Sequence, residues 1–350
     1  MTPVATSDAR TMGGRGVVIP MAVCAALLTI AAFLLLKPVL APITFALFVI
    51  AVVWPIQRGL QRRLPRFVAM VITLCVTLFV VVALASVIAW GFSQAGQWLA
   101  GNSARFQVLY GRVVDGLAGH GVFIAELWAE HFDVRWLIRL SQGVTARIQG
   151  LLSFGTVTLI FVILGLLEVE VTRSKLLTHN GETGRRLVAA GASIADKLQK
   201  YMLIRTVMSL LTGIVIWAFI SLAGLDLAVQ WGLIAFALNY IPFIGPLVAT
   251  VFPTVFAVVQ FEAWETPAAV FLCLNLIQFL SGSYFEPRLA GASLAISPFI
   301  VLLAVVFWSF LWGISGAFIG VPVTIALITL CDAFPASRWI AALLSASDGK

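Results

Sequence analysis

Few residues in the apolar stretches of this 350-residue chain can carry charge, and the informative ones lie where such stretches end. Asp226 follows one uncharged run, and Glu286 and Arg288 flank Pro287 at the end of another. A charge inside or at the edge of a bilayer is costly, which makes these residues candidates for coupling or gating. Glu286 and Arg288 could equally form a structural ion pair with each other, so both interpretations stay open.

Two apolar segments also carry polar residues at helical spacing. The first stripe consists of Arg205, Ser209, Thr212 and Gly213, and the second of Asn275, Gln278 and Ser281 or Gly282. Residues at this spacing share one helical face. Because polar groups in hydrocarbon need partners, each stripe should face other helices or a solute pathway. The sequence does not separate these alternatives, and Arg205, Asn275 and Gln278 are the pathway candidates.

Two long uncharged runs are interrupted near their middle by glycine and proline. The interrupting residues are Asn239, Tyr240, Pro242, Gly245 and Pro246 in Leu227–Phe261, and Gly313, Gly316, Gly320 and Pro322 in Leu289–Cys331. Proline lacks a backbone donor and clashes with the preceding turn, so neither run can be one straight helix. Broken backbone survives in a membrane only against protein or a water-filled cavity. We therefore predict two helical hairpins at the bundle centre, with arms of roughly 14–18 residues, that line the substrate pathway.

The elements that must position these residues follow from composition. The chain is 61% hydrophobic and 11% charged, which excludes a water-soluble globule because soluble domains are about 45–50% apolar and about 25% charged. The uncharged runs are Val17–Leu36, Pro38–Gln57, Phe67–Ala104, Ile148–Leu167, Thr206–Leu225, Leu227–Phe261, Thr266–Phe285 and Leu289–Cys331. A helix crosses the bilayer with about 20 residues. The sequence predicts an all-α polytopic membrane protein with about six full spans plus the two interrupted hairpins.

The C-terminal half has the pattern of an inverted repeat. An ordinary span, Thr206–Leu225 or Thr266–Phe285, precedes each interrupted run, and the opening Gly224–Ala228 is similar to Gly291–Ala295. A span plus a hairpin crosses the bilayer an odd number of times, so the second unit should be upside down. Inverted repeats with paired broken helices are typical of secondary transporters.

The distribution of basic residues predicts the orientation. Cytoplasmic loops are enriched in Lys and Arg, and most of the 22 basic residues fall on one side if both termini are cytoplasmic. The predicted segments are a cytoplasmic tail (1–16), the first three spans (17–92), an extracytoplasmic amphipathic region (93–149), a fourth span (150–167), a cytoplasmic helical segment (168–205), a transport core (206–334) and a cytoplasmic tail (335–350).

Other functional classes find no support in the sequence. The histidines His120, His131 and His179 are expected in extramembrane loops, and neither an HExxH motif nor a phosphate-binding loop occurs. The four cysteines lie in or beside apolar runs without CxxC spacing, so buried small residues are the favoured interpretation. The pI near 9.6 fits basic cytoplasmic loops better than nucleic-acid binding. We predict no enzymatic activity, no catalytic residue, no cofactor, no metal site and no nucleic-acid partner.

At these motifs the chain resembles the autoinducer-2 exporter (AI-2E) family. The matching stretches are Lys200–Thr206, Leu238–Pro246, Glu286–Gly291 and Phe307–Trp308 through Gly313 to Val321–Pro322, within about residues 17–345. Arg205 stands where the family often has lysine, and Ala290 where it usually has a larger apolar residue. Neither departure affects the resemblance, although Ala290 could alter packing at the mouth of the second hairpin.

The resemblance implies a bacterial inner-membrane protein, homo-oligomeric, that moves a small solute outward. Members are associated with export of the signalling molecule autoinducer-2, and others act as sodium or lithium/proton antiporters. The expected function is therefore secondary export of a small polar solute by alternating access, with cation/proton antiport as the alternative. The implied partners are the lipid bilayer, a small-molecule or ion substrate and further copies of the chain.

Overall fold

The computed structural model describes residues 9–102, 104–105, 108, 134–179, 181–290 and 296–345. Helices account for nearly all of them. They are α1 (Ala9–Leu35), α2 (Lys37–Gln61), α3 (Arg66–Gly101), α4 (Val134–His179), α5 (Gly181–Leu222), α6 (Ala228–Leu238), α7 (Ile244–Gln260), α8 (Glu265–Phe279), α9 (Glu286–Ala290), α10 (Pro298–Trp312), α11 (Ile314–Ala333) and α12 (Arg338–Leu344). A π-helical turn (Leu280–Phe285) joins α8 to α9.

The prediction of an all-α polytopic membrane protein is confirmed. Within the described ranges, the segments long and apolar enough to cross a membrane are six: Lys37–Gln61, Arg66–Gly101, Ser153–His179, Gly181–Leu222, Glu265–Phe285 and Ile314–Ala333. These six segments differ from the six predicted spans in two places. The first predicted span belongs to α1 (Ala9–Leu35), which is not among the six. The second arm of the second hairpin is among them and has 20 residues, more than predicted.

Several predicted segment boundaries fall inside continuous helices. α4 runs from Val134 through the fourth predicted span to His179, and α5 runs from Gly181 through the next span to Leu222. Gly181, with φ of 51°, turns the chain between them. The predicted boundaries were placed where charged residues begin. They therefore indicate where a helix is expected to leave the membrane, and not where the helix ends. Residues 109–133 of the predicted amphipathic region 93–149, including His120 and His131, lie outside the described residues.

Both predicted hairpins are present, but their breaks use different residues. α6 ends at Leu238 and α7 begins at Ile244, so the first break is the turn 239–243, with Gly245 and Pro246 already in α7. In the second hairpin only Gly313 separates α10 from α11. The expectation that Gly316, Gly320 and Pro322 belong to that break was wrong, because all three lie within α11.

Glycine lets the two arms of each hairpin pack closely just after the break. A Cβ on Gly245 would collide with the carbonyl oxygen of Leu238, and a Cβ on Gly316 with that of Trp308. Gly320 continues the contact one turn later: a Cβ added there would lie 3.1 Å from the carbonyl oxygen of Ala304. Small residues at this spacing allow close helix approach in membranes. The glycines of α11 therefore serve packing between the arms.

The first hairpin lies along α5 with its returning arm parallel to that helix. At its tip, the Asn239 side-chain amide donates to Ser209 Oγ over 3.2 Å, near the middle of α5. At its base, Gln260 Nε2 donates to the Gly224 carbonyl oxygen over 2.8 Å, just beyond the C-terminal end of α5. α7 thus runs from the middle of α5 towards the end of α5.

The second hairpin runs the other way. Phe318, in the second turn of α11, stacks on Tyr240 with ring centroids 6.4 Å apart. Further along α11, Thr329 Oγ1 accepts from Lys197 Nζ over 3.1 Å, towards the N-terminal half of α5. α11 is therefore antiparallel to α5, and the hairpins enter the bundle from opposite ends. This agrees with the predicted inverted repeat, although the opening 291–295 lies outside the described residues.

Candidate functional site

Arg205 is the centre of a buried polar cluster beside the tip of the first hairpin. Its guanidinium Nη1 donates to Glu286 Oε2 over 3.1 Å and to the Asn239 carbonyl oxygen over 3.5 Å. Its Nε donates to the Tyr201 hydroxyl, one helical turn earlier, over 3.3 Å. The Arg205 side chain is 9% exposed and that of Glu286 24% exposed, so water screens their ion pair poorly. One side chain thus joins α5, the first hairpin and the start of α9.

The tip of the first hairpin is fixed to α5 by the two residues that precede Ile241. Asn239 bonds Ser209 through its side chain and offers its carbonyl oxygen to Arg205. Tyr240 is buried, and its hydroxyl donates to Thr206 Oγ1 over 3.0 Å. Asn239 therefore meets the polar face of α5 predicted from helical spacing, whereas Tyr240 meets Thr206, which was not assigned to that face. Arg205, Ser209 and Thr212 of this face all form hydrogen bonds with other parts of the protein.

Glycine brings the first arm of this hairpin close to α5. A Cβ on Gly213 would lie 2.8 Å from the Gly232 carbonyl oxygen, and one on Gly232 would lie 2.9 Å from the Gly213 carbonyl oxygen. The backbones of α5 and α6 therefore approach closely enough to exclude side chains between them. This contact packs the first arm of the hairpin tightly against α5, eight residues after Arg205.

The turn at the first hairpin tip has an unusual backbone. Phe243 has φ of 64° and ψ of −47°, and the Ile244 N–H donates to the Pro242 carbonyl oxygen over 2.7 Å. This is a γ-turn with positive φ, which is rare and strained for a residue other than glycine. In the second hairpin Gly313, with φ of 69°, stands at the same place immediately before the returning arm. Pro242 is buried within this turn.

Phe318 is an aromatic side chain at which both hairpins and α2 come together. Phe318 of α11 stacks on Phe45 of α2 at 5.7 Å as well as on Tyr240 at 6.4 Å. It also meets Phe48 edge-on at 6.3 Å. A movement of either hairpin relative to α2 therefore has to change the environment of Phe318.

Asp226 belongs to a different cluster from the other predicted coupling residues. Its carboxylate accepts from Trp98 Nε1 of α3 over 2.8 Å, and its backbone N–H donates to Gln260 Oε1 over 2.8 Å. α5 extends for about 25 Å between Arg205 and its end at Leu222, at 1.5 Å per residue. The structure therefore places Asp226 at the far end of α5, where it ties α3 to the base of the first hairpin.

Arg288 is not the ion-pair partner of Glu286. Its guanidinium lies over the ring of Tyr284, 4.2 Å from the centroid, and the side chain is exposed. The alternative of a Glu286–Arg288 latch was therefore wrong, because Glu286 pairs with Arg205 of another helix. The residues of the second polar stripe do not all contact the Arg205 cluster. Asn275 is exposed and donates to the carbonyl oxygen of Phe271 in its own helix.

The remaining pathway candidates lie apart from Arg205 or contribute through the backbone. Gln278 is half-buried, and its Nε2 has no hydrogen-bond partner among the described residues. Gly313 lies at the tip of the second hairpin, where an added Cβ would be 3.6 Å from Lys37 Nζ at the start of α2. Gly316 and Pro322 are buried in α11. The structure thus gathers Arg205, Asn239, Tyr240 and Glu286, and leaves the second hairpin's candidates elsewhere.

The sequence analysis did not single out Tyr201 or Phe318, and it did not predict the contact between Thr212 and Ser281. Tyr201 could have been found, because it precedes Arg205 by one helical turn. The hydrogen bond between Thr212 and Ser281, which ties α5 to the π turn, had only the signal that each residue belongs to a polar stripe. Phe318 gave no signal, since an aromatic residue in an apolar helix is usually a packing residue.

The fold and the site together define a class of protein. Helices broken in mid-membrane, arranged as oppositely directed hairpins around a buried polar centre, are typical of secondary transporters. Residues 23–336 match the family model described as AI-2E family transporter. Because this match covers most of the chain, the protein belongs to the AI-2E family of transporters.

Curated relatives support the same family and differ in what their names state. The AI-2 transport protein TqsA of Escherichia coli K12 is 27% identical over 310 residues, which cover 88% of this chain and 89% of TqsA. A Haemophilus influenzae protein named for an inferred transport role is 25% identical over 336 residues, covering 93% of this chain and 95% of that protein. A similarly named protein of Borreliella burgdorferi is 32% identical over 181 residues, about half of each chain.

Proposed function

We propose that this protein is a secondary exporter of a small polar solute, and that autoinducer-2 is the first solute to test. The observation that carries this proposal is the buried Arg205–Glu286 ion pair, which joins α5, the first hairpin and the start of α9. The name of TqsA supports autoinducer-2 as the solute. The sequence has no phosphate-binding loop, so the chain itself offers no site for using ATP.

The chemistry of the site suits a polar solute that carries no large net charge. Arg205 and Glu286 neutralise each other, while the Arg205 guanidinium, the Asn239 carbonyl and the Tyr201 hydroxyl offer a donor and acceptors. A solute with several oxygen atoms could exchange hydrogen bonds with these groups without leaving an uncompensated charge in the low-dielectric interior. We propose that the hairpin tip moves away from α5 to admit the solute.

The movement that we propose divides the chain into two parts. The first four helices form a scaffold, and residues 206–334 form a transport core whose hairpins rock against it. Phe318, Phe45 and Tyr240 lie where these parts meet. The coupling role proposed for Glu286 follows from its ion pair with Arg205. For Asp226 we propose a gating role at the far end of α5, where it closes the solute pathway through its hydrogen bond with Trp98.

The cellular setting follows from charge and family. We propose that the protein lies in the bacterial inner membrane with both termini in the cytoplasm, as the distribution of Lys and Arg indicates. We further propose that it works as a homo-oligomer and, if autoinducer-2 is its solute, in quorum sensing.

An unbiased comparison of exported metabolites tests this proposal most broadly. Cells with the wild-type protein, cells without it and cells with Arg205→Met are grown in parallel, and their media are compared. We expect one or a few polar solutes, autoinducer-2 among them, to accumulate outside only with the wild-type protein. Sodium-driven proton movement in proteoliposomes without any organic solute would instead support cation/proton antiport.

A further inference from the structure

The helix that carries Glu286 changes its winding immediately before that residue. The π turn Leu280–Phe285 lies between α8 and α9, and Glu286 is the first residue of α9. The backbone N–H of Glu286 donates to the carbonyl oxygen of Ser281, five residues earlier, which is the hydrogen bond that defines π winding. Single π turns inside α-helices are frequent at functional sites. The contacts of this turn show what it positions.

Both ends of this hydrogen bond contact α5 through their side chains. The Ser281 hydroxyl is hydrogen-bonded to the Thr212 hydroxyl, and the Glu286 carboxylate accepts from Arg205 Nη1 over 3.1 Å. Arg205 and Thr212 are seven residues apart, so they lie about two turns apart on one face of α5. Ser281 and Glu286 must therefore face the same side of their own helix.

An uninterrupted α-helix could not present both residues to α5. At about 100° per residue, five residues rotate a side chain to about 140° from its starting direction. If Ser281 faced Thr212 in such a helix, Glu286 would point away from Arg205. In π winding each turn closes between residues five apart, so their side chains lie nearly above each other.

We infer that the π turn sets the register of the Arg205–Glu286 pair and that Ser281 is a positioning residue for Glu286. The inference rests on the proposed function, because the pair that Ser281 positions is the proposed solute centre. Ser281 itself bonds Thr212 and reaches Arg205 only through Glu286. Ser283 is a matched control, since it belongs to the same turn, is exposed and has no hydrogen bond among the described side chains.

A double-mutant cycle tests whether Ser281 acts through Glu286. We expect Ser281→Ala to lower the initial export rate at least about fivefold, the effect of losing one hydrogen bond, while Ser283→Ala leaves it unchanged. In the Glu286→Gln protein, Ser281→Ala should cause little further loss, because the carboxylate that it positions is already gone. An undiminished fivefold loss in that background would assign Ser281 to packing alone.

A crosslinking experiment tests the same inference without any transport assay. In a protein whose native cysteines are replaced by serine, Arg205→Cys and Glu286→Cys are joined with a bifunctional thiol reagent. We expect Ser281→Ala to slow crosslinking at least about fivefold and Ser283→Ala not to slow it. Equal crosslinking in all three backgrounds overturns the inference. If the wild-type protein exports no solute but Ser281→Ala still slows crosslinking, the proposed function fails and the register inference stands.

Changing the length of the turn tests the winding itself in the same crosslinking assay. Deleting Gly282 leaves Ser281 and Glu286 four residues apart, which places them on one face of an ordinary α-helix. Inserting one alanine after Gly282 makes them six apart, about 120° from a shared face in an α-helix. We expect the deletion to keep the crosslink and the insertion to lose it at least tenfold, and the reverse order would contradict the register argument.

Discussion

At the scale of residues, Arg205 and Glu286 differ from the other described ion pairs by their burial. Arg186–Glu182 and Arg338–Asp332 are exposed and contribute little to stability. Removing one partner of a buried pair leaves a charge in a low-dielectric environment, which is far more costly. The stability of this region therefore depends on the presence of both Arg205 and Glu286.

Neutralising Arg205 is expected to stop export. Arg205→Met removes the donor to Glu286 and Asn239, so the export rate should fall at least about tenfold, the effect of losing hydrogen bonds to a charged group. Initial rates in proteoliposomes measure this. Arg205→Lys keeps the charge and should retain part of the rate, and Arg186→Met removes an exposed pair as the control. Wild-type export by Arg205→Met would remove this cluster from the pathway.

The pH dependence of export tests the role of the Glu286 carboxylate. Protonation at falling pH would abolish its ion pair with Arg205, so the wild-type rate should change over the range in which Glu286 titrates. Glu286→Gln cannot titrate and should lose this part of the pH profile. The measurement is the initial rate between about pH 3 and pH 8, a range that includes the ordinary carboxyl value of about 4.3. A wild-type profile in Glu286→Gln would give the residue a purely structural role.

Helical spacing and motif spacing predicted most of the central residues, but not all of their partners. Arg205, Asn239 and Tyr240 follow from the polar face and the first break, and Glu286 follows from its charge at the end of an apolar run. The partner of Glu286 could not be predicted, because the π turn changes the rotation that α-helical spacing assumes. The nearby Arg288 was the obvious alternative on the basis of sequence alone.

At the scale of elements, glycine and proline predicted both hairpins but did not show that Gly313 alone, among the four candidates, forms the second break. Glycine suits a turn with positive φ, as at Gly313, and also suits close helix packing, as at Gly316. A sequence does not distinguish these uses. Pro322 lies inside α11, since membrane helices tolerate proline where neighbouring groups compensate for the missing donor.

Alanine at the two packing glycines should loosen the hairpins. Gly245→Ala and Gly316→Ala each force the arms apart at a backbone carbonyl, so each should lower the free energy of unfolding by about 1–3 kcal/mol. Thermal unfolding of the detergent-purified protein measures the effect. Gly191→Ala in α5 is the control, because an added Cβ there meets nothing within 4 Å. Equal stability of all three variants would contradict close packing of the arms.

Glycine at position 243 should relieve the strained turn of the first hairpin. Phe243→Gly keeps the positive φ without the steric cost of a side chain, so it should be more stable than Phe243→Ala by about 1 kcal/mol. Comparing these two variants cancels the loss of the exposed phenyl ring. The same thermal unfolding experiment measures the difference, and greater stability of Phe243→Ala would show that the turn is unstrained.

At the scale of the whole molecule, composition and charge predicted the membrane class, while the contacts between helices had to come from the structure. The oppositely directed hairpins meet α2 at Phe318, a residue whose apolar surroundings gave no sequence signal. Orientation is likewise a property of the entire chain, because it depends on Lys and Arg summed over all loops.

Cysteine labelling tests the predicted orientation. His120 falls in the predicted extracytoplasmic region, which lies outside the described residues. A His120→Cys variant in a cysteine-free background should react with a membrane-impermeant thiol reagent added to intact spheroplasts. Reaction only after the cytoplasm is exposed would reverse the orientation.

Efflux of autoinducer-2 from proteoliposomes tests whether the protein exports a solute past the Arg205–Glu286 pair. Purified wild-type protein, Arg205→Met and Arg186→Met are reconstituted in equal amounts, and the initial efflux of labelled solute is measured. We expect efflux with the wild type and Arg186→Met, and a loss of at least about tenfold with Arg205→Met. Equal efflux from all three would contradict a pathway through the Arg205–Glu286 centre, and proton movement driven by sodium alone would contradict solute export.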